Sequence, residues 1–463
     1  MSRLLILGLD GFGYDFAARL FASGRMPFLA NRAAAGAFGP AASPLPPVST
    51  AAWTTISTGA GIGRHGIVDF RRRELAEYAF VAPGRLVNSG DVRLPRLYDL
   101  ASAAGLRVFV LNLPVTYPAA AVNGILVTGL LTPPGGDRAC WPPEFRKYLA
   151  EYVFDLEDPI PSDLPGLCRR LEELAAGRLR VATEAFRRER FDLGLVVFTG
   201  PDRLFHRFYE EAYAAPEPAS PAAAYLAALD RACEGVYEAF GADAALLVCS
   251  DHGFGPGPRR AFYVNRLLKR AGFLTSASAG GPYALHVVLE GFKKLLGRGR
   301  PLPVDWARTA AYGLPLYMRW GGLVVNASGE QRAGIVSSAE ITSLRDDLAE
   351  LLRGSAEAAP AAIQWAKTRE ELYSGPATTD LPHVVFEAGP EVVVSEAKGP
   401  GPVVGPYANP QKRGEHTPQA LALAAGLGVV PEALAGAALE DVAATAAKWL
   451  GFGAPAAEGK PWI

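Results

Sequence analysis

Cysteine is scarce in this chain and shows no pairing. Four occur in 463 residues, Cys140, Cys168, Cys233 and Cys249, at spacings that fit neither a disulfide framework nor a zinc motif, so they read as buried thiols. Apolar runs of membrane-spanning length are missing, which excludes a transmembrane helix. No hydrophobic leader with a small-residue cleavage site precedes the first apolar run at Leu4, and a cytoplasmic protein is expected. Neither sign of charge is in excess. Lys and Arg total 46 against 47 Asp and Glu, a net charge of −1, which argues against a protein that coats nucleic acid or anionic lipid. Basic runs such as Arg71-Arg72-Arg73 and Lys293-Lys294 read as solvated faces. A Gly-Lys-Ser/Thr phosphate loop is absent, which sets aside nucleotide hydrolysis by that route. Histidine is rare as well, with six in the whole chain.

What is present gathers around those few histidines. The apolar run Ala244 to Ser250 ends at Asp251-His252, two unlike metal-binding side chains where a buried strand should stop. A carboxylate beside an imidazole suits Zn²⁺ or Mn²⁺ better than Ca²⁺ or Mg²⁺. Leu4 to Leu9 is a second such run and stops at Asp10-Gly11, while Leu193 to Phe198 stops at Thr199-Gly200-Pro201-Asp202. Ligands of open parallel sheets sit beyond the carboxyl ends of the strands, so three strands would deliver Asp10, Asp202 and Asp251-His252 to one rim. His206 follows Asp202 by four residues, on one face of a helix if a helix begins there. His416 stands in the polar loop Arg413-Gly414-Glu415-His416. Singly, each has a plainer reading as cap, surface pair or solvated loop residue. Successive strand ends are what unite them, and together they can form two sets of three ligands.

Hydroxyls open the segment Ser49-Thr50-Ala51-Ala52-Trp53, directly after Pro46-Pro47-Val48. Ser49 would lie near a helix N-terminus, where N–H groups and the dipole favour an anion. An ordinary N-cap is the alternative, and spacing does not separate the two. At a metal-bearing rim such a hydroxyl can be deprotonated and attack phosphorus.

These residues resemble the alkaline phosphatase superfamily, and within it the type I phosphodiesterase/nucleotide pyrophosphatase-like branch of phosphohydrolases and phosphomutases. Carrying the resemblance are Leu7-Gly8-Leu9-Asp10-Gly11, Pro46-Pro47-Val48-Ser49, Ala52-Trp53-Thr54, Thr58-Gly59 and His65-Gly66-Ile67-Val68-Asp69-Phe70. Asn112 to Pro118, Asp202 to His206, Ser250 to Gly255 and Gly414-Glu415-His416 continue it. The resemblance implies one metal on Asp202, His206 and His416 and a second on Asp10, Asp251 and His252. It also implies a nucleophile at Ser49, with Thr50 as runner-up; His65 matches the family's His-Gly-Ile segment and reads as structural rather than as a metal ligand. The cofactors implied are two divalent ions, Zn²⁺ or Mn²⁺; the partner implied is a small-molecule phosphate mono- or diester. Phe70 stands where nucleotide pyrophosphatases of the superfamily carry a phosphate-binding Asn, and Pro382-His383 where the branch has Pro-Asp. The Cys/Ser-x-Pro-x-Arg type of motif that sulfatases need is missing after Ser49. A phosphomutase, a phosphonate or sulfate ester hydrolase and a non-catalytic binding protein of the same fold are the alternatives.

Alternating apolar runs and Ala/Leu/Arg-rich stretches predict an α/β fold, a three-layer α/β/α sandwich with a mainly parallel central sheet. Residues 1–255 and 411–463 are expected to form the catalytic core, and residues 256–410 an inserted cap that selects substrate. Helices are expected over Glu172–Arg190, Phe262–Gly272 and Ser338–Arg353, with closing helices between Pro431 and Leu450 and a strand at Leu323-Val324-Val325. Gly280-Gly281-Pro282 and Gly399-Pro400-Gly401-Pro402 mark loops. Tyr117, Arg259, Arg260, Tyr263 and Asn265 are candidate substrate contacts.

Overall fold

The computed structural model describes residues 2–72, 75–78, 85–156, 158–214, 217–277, 304–409 and 411–463. Gly280-Gly281-Pro282 and Lys293-Lys294 lie outside the described residues. Two compact units result, one of Met1–Arg72, Leu86–Gly257 and Pro410–Ile463, the other of Arg73–Arg85 and Pro258–Asn409.

The first unit is built on strands β1 (Leu4–Leu9), β2 (Ala37–Ala42), β3 (Val108–Leu113), β4 (Gly124–Thr128), β5 (Cys140–Trp141), β6 (Leu193–Phe198), β7 (Ala245–Cys249) and β8 (Gly253–Pro256). The second unit then takes β9 (Arg260–Tyr263), β10 (Ala311–Tyr317), β11 (Trp320–Val325), β12 (Trp365–Thr368), β13 (Val384–Glu387), β14 (Val392–Ser395) and β15 (Val404–Pro406). The chain re-enters the first unit with β16 (Gly414–Thr417) and β17 (Gln419–Ala425). An eight-stranded sheet has the order β2-β17-β7-β1-β6-β3-β4-β5. Strands β7, β1, β6, β3 and β4 pair in parallel, while β17, β2 and β5 pair antiparallel to their neighbours.

The unbroken apolar runs follow from burial on both faces. In β1, Leu5, Leu7 and Leu9 enter one core cluster with Phe16, Leu171 and Leu229, and Leu4 and Ile6 enter the other with Trp53, Leu97 and Val442. Helices Leu164–Arg188 and Pro221–Phe240 cover the first face; Ser49–Thr58 and Glu440–Leu450 cover the second. The expected helix over Glu172–Arg190 begins earlier, at Leu164. Asp163 caps it by accepting from the Gly166 N–H at 2.7 Å, and Pro165 stands in its first turn.

In the second unit β10, β11, β13 and β12 form an antiparallel sheet, and β9 lies between β14 and β15. The helix expected over Phe262–Gly272 is shorter, Val264–Arg270. Its first residues, Phe262 and Tyr263, belong to β9 instead, a strand that pairs with β14 on one side and β15 on the other. The helix near Ser338 runs over Ile341–Gly354, and Pro431–Leu434 forms a single 3₁₀ turn before Glu440–Leu450. Among the described residues no helix is long and apolar enough to cross a membrane.

Candidate metal centre

Strand order alone collects most of the site. Strands β7, β1 and β6 are adjacent and parallel, so Asp251-His252, Asp10 and the turn at Thr199 leave the sheet side by side. Helix Gly200–Arg207 starts at once after β6 and carries Asp202 and His206 one turn apart. His416 arrives on β16, which pairs with β8 in a two-stranded ribbon that sets it opposite Phe254. Ser49 is the first residue of helix Ser49–Thr58.

The six Asp and His side chains are all buried and converge. His416 Nε2 lies 3.1 Å from Asp202 Oδ1 and 3.0 Å from His206 Nε2, and His206 Nε2 lies 3.3 Å from the same Asp202 oxygen. His252 Nε2 is 3.3 Å from Asp251 Oδ2, 3.6 Å from Asp10 Oδ1 and 3.9 Å from Asp202 Oδ1. The His252 and His416 rings stack at 3.4 Å between centroids. His252 belongs to both groupings of ligand atoms that a single ion can satisfy, one with Asp202 and His416, the other with Asp10 and Asp251.

Outer contacts fix what each atom has left to offer. Each imidazole meets a backbone carbonyl at Nδ1: His206 with Gly414 at 2.9 Å, His252 with Gly253 at 3.1 Å and His416 with Pro47 at 2.8 Å. A carbonyl only accepts, so Nδ1 carries the proton and Nε2 presents a lone pair inward. Asp251 Oδ1 accepts from the Gly11 and His252 N–H groups at 2.9 and 3.1 Å, leaving Oδ2 without a partner. Asp10 Oδ2 accepts from Trp53 Nε1 at 3.0 Å, leaving Oδ1 without one. Lone pairs and orphaned carboxylate oxygens therefore face one another in a buried space, an arrangement that a divalent cation satisfies.

Electrostatics give the same account. Burial, then the charges of Asp251 and Asp202, push the Asp10 carboxyl well above its ordinary value, and burial raises Asp251. Burial likewise lowers His252 and His416 to about 4. Asp202 alone goes the other way: burial opposes its ionisation, but His206, His416 and Arg203 hold it well below the usual carboxylate range. Carboxyls that resist ionising beside imidazoles that resist protonation form a cluster short of positive charge. The donor set fits two divalent cations of borderline character.

Several supporting residues were not assigned a role at the site from the sequence. Trp53 reaches Asp10 because Gly8 leaves room, a Cβ there coming within 2.4 Å of the Trp53 ring. Its place one turn after Ser49 was the available clue. Arg203 Nη1 touches Asp202 Oδ2 at 3.4 Å while its Nε and Nη2 are held by Asp155. Lys412 brings its Nζ to 3.3 Å from His206 Nε2.

Ser49 Oγ lies 3.3 Å from His252 Nε2, whereas Thr50 Oγ1 is buried with no polar partner. Asn265 is consumed by packing in the second unit, its amide donating to Gly313 and Glu396 carbonyls and accepting from the Gly313 N–H. His383 is buried there too and accepts from the Val325 N–H at Nδ1.

His65 stands outside the six. The Ile67 N–H donates to its Nδ1 at 3.1 Å, so its Nε2 donates to Thr55 Oγ1 at 3.0 Å, and the chain itself uses both nitrogens. Burial, then Arg96, lowers His65 to about 3. Its folded value lies below the unfolded one, so as pH falls the unfolded chain takes up the proton first. Its contribution to stability is therefore full above the unfolded pKa of about 6.5 and is lost toward pH 3. Between pH 7.5 and 5, metal-free wild type should lose about 2 kcal/mol more than His65→Gln. Urea unfolding at the two pH values checks this, and parallel losses would refute it.

No curated protein matches the chain. Among solved structures, phosphonoacetate hydrolase from Sinorhizobium meliloti 1021 in complex with phosphonoformate is similar at 14% identity and a TM-score of 0.61, covering 97% of this chain and 96% of that one. Murine ectonucleotide pyrophosphatase/phosphodiesterase 5 is similar at 12% identity and a TM-score of 0.56, covering 99% and 98%. The human protein of that name gives 12% and 0.55, covering 99% and 97%. The profile of the type I phosphodiesterase/nucleotide pyrophosphatase family matches residues 4–419; the chain belongs to that family and is a phosphoric ester hydrolase.

Proposed function

We propose that the chain hydrolyses phosphate mono- or diesters at a two-metal centre, with Ser49 as nucleophile. Asp202, His206 and His416 would hold one ion, and Asp10, Asp251 and His252 the other, with Zn²⁺ or Mn²⁺ favoured by the mixed donors. The observation that carries the reading is the inward convergence of three Nε2 lone pairs on carboxylate oxygens, each ring pinned from behind by a carbonyl. When bound, divalent cations at such a centre acidify a hydroxyl and neutralise charge on a transferring phosphoryl group.

The chain's own part is positioning. Ser49 Oγ is directed at the ligand cluster, 3.3 Å from His252 Nε2, and opens a ten-residue helix whose first N–H groups favour phosphoryl oxygens. In the first step Ser49 Oγ gives up its proton and bonds to phosphorus as the bond to the leaving oxygen breaks, and the leaving group departs as the alcohol once it has taken up a proton. In the second, water attacks the phosphoserine, releases the phosphate product and restores the hydroxyl. The second unit supplies none of these residues.

Initial rates on p-nitrophenyl phosphate and bis-p-nitrophenyl phosphate, with Zn²⁺ and with Mn²⁺, test the reading on metal-stripped and reloaded protein. Turnover is expected only after loading, with two ions per chain. Failure to bind metal would overturn it. Two bound ions with no turnover of either ester would move the reading to a phosphomutase.

A further inference from the structure

Two cations reach the site from outside the ligand set and the nucleophile, Arg203 and Lys412, and of these Lys412 has no carboxylate partner among the described residues. Its backbone is locked. The Arg413 N–H donates to the His206 carbonyl at 2.7 Å, and the Arg413 carbonyl accepts from the Gly257 N–H at 2.7 Å. Gly257 packs so closely that a Cβ on it would come within 2.3 Å of the Lys412 carbonyl. From this fixed base the side chain runs to the nitrogen of His206 that faces Asp202 and His416, stopping at 3.3 Å. Arg203, the neighbouring cation, has its guanidinium held by Asp155. Among the described residues no carboxylate lies within ion-pair distance of the Lys412 ammonium.

An ammonium offers only donors, and one without a carboxylate at a phosphoryl-transfer site is left to meet the substrate. A monoester presents three non-bridging oxygens and up to two negative charges. A diester presents two such oxygens and one charge. A fixed cation beyond the two-metal set therefore favours the ester with the additional anionic oxygen.

We propose that Lys412 is a specificity-determining residue that binds a non-bridging phosphoryl oxygen and raises the preference for monoesters over diesters. This rests on the phosphohydrolase reading above. The test compares metal-loaded wild type, Lys412→Met and Lys412→Arg by kcat/KM on p-nitrophenyl phosphate and bis-p-nitrophenyl phosphate. Metal content is measured in parallel, and orthophosphate binding is followed by titration calorimetry. Lys412→Met should lose about tenfold to a hundredfold on the monoester, under about threefold on the diester, and about tenfold in orthophosphate affinity. Both ions should remain, and Lys412→Arg should recover most of the preference.

Equal losses on both esters, or none, would overturn the assignment. So would loss of an ion from Lys412→Met, which would make Lys412 a support for His206. Silence of the wild type on both esters would defeat the hydrolase reading alone. Orthophosphate binding would still decide Lys412, a weaker variant supporting the contact and an unchanged one refuting it.

Discussion

Ser49→Ala is expected to keep two metal ions per chain while turnover falls by about 10⁴-fold or more. The substitution removes one oxygen from a helix N-terminus and alters none of the six ligand side chains themselves. Ser49 Oγ meets the cluster only through His252, so metal content should not move. Thr50→Ala supplies the contrast. The Thr50 hydroxyl has no polar partner, and its loss should leave the rate within about threefold. Mass spectrometry of protein quenched during turnover should show a phosphoryl adduct on the Ser49 peptide of wild type. Full activity in Ser49→Ala would displace the nucleophile assignment, and collapse in Thr50→Ala alone would move it one residue on.

His252→Ala should have a larger effect on metal than any other single ligand change. His252 Nε2 lies within 3.9 Å of Asp251, Asp10 and Asp202, and the residue belongs to both ligand groupings. Its ring also stacks on His416. Removing it takes a donor from one ion and loosens a ligand of the other. Affinity should fall more than about a hundredfold, with less than one ion per chain retained after dialysis. Among the six ligand residues His206 meets Asp202 and His416, and His206→Ala should keep about one ion. Elemental analysis against circular dichroism separates the two from misfolding. Two ions retained by His252→Ala would refute the shared position.

The parts of this account legible in the sequence share one physical origin. A parallel strand buried on both faces cannot alternate polar and apolar residues, so Leu4 to Leu9, Leu193 to Phe198 and Ala245 to Cys249 stand out as unbroken runs. The first carboxylate after each run is then conspicuous. Asp10, Asp202 and Asp251-His252 were legible for that reason, and His206 through its spacing from Asp202. What depends on pairing across long chain separations was not legible. Arg260–Tyr263 has the same apolar character as the helix that follows, and only contact with β14 and β15 makes it a strand. Trp53 was visible as a residue but not as the group that holds Asp10. Lys412 and the Asp155–Arg203 pair had no local signal, because their positions come from how β16 and the segment before helix Leu164–Arg188 meet helix Gly200–Arg207. The insertion of β17 between β2 and β7 was equally hidden.

That insertion also orders events during synthesis. Until β17 leaves the ribosome, β2 has no neighbour in the sheet and one side of β7 is unpaired. His416, on the ribbon just before β17, is made after every other ligand. A nascent chain can fold around Asp10 and His252, but it cannot complete either the sheet or the ligand cluster. A complete ligand cluster therefore forms only once β16 and β17 have been made.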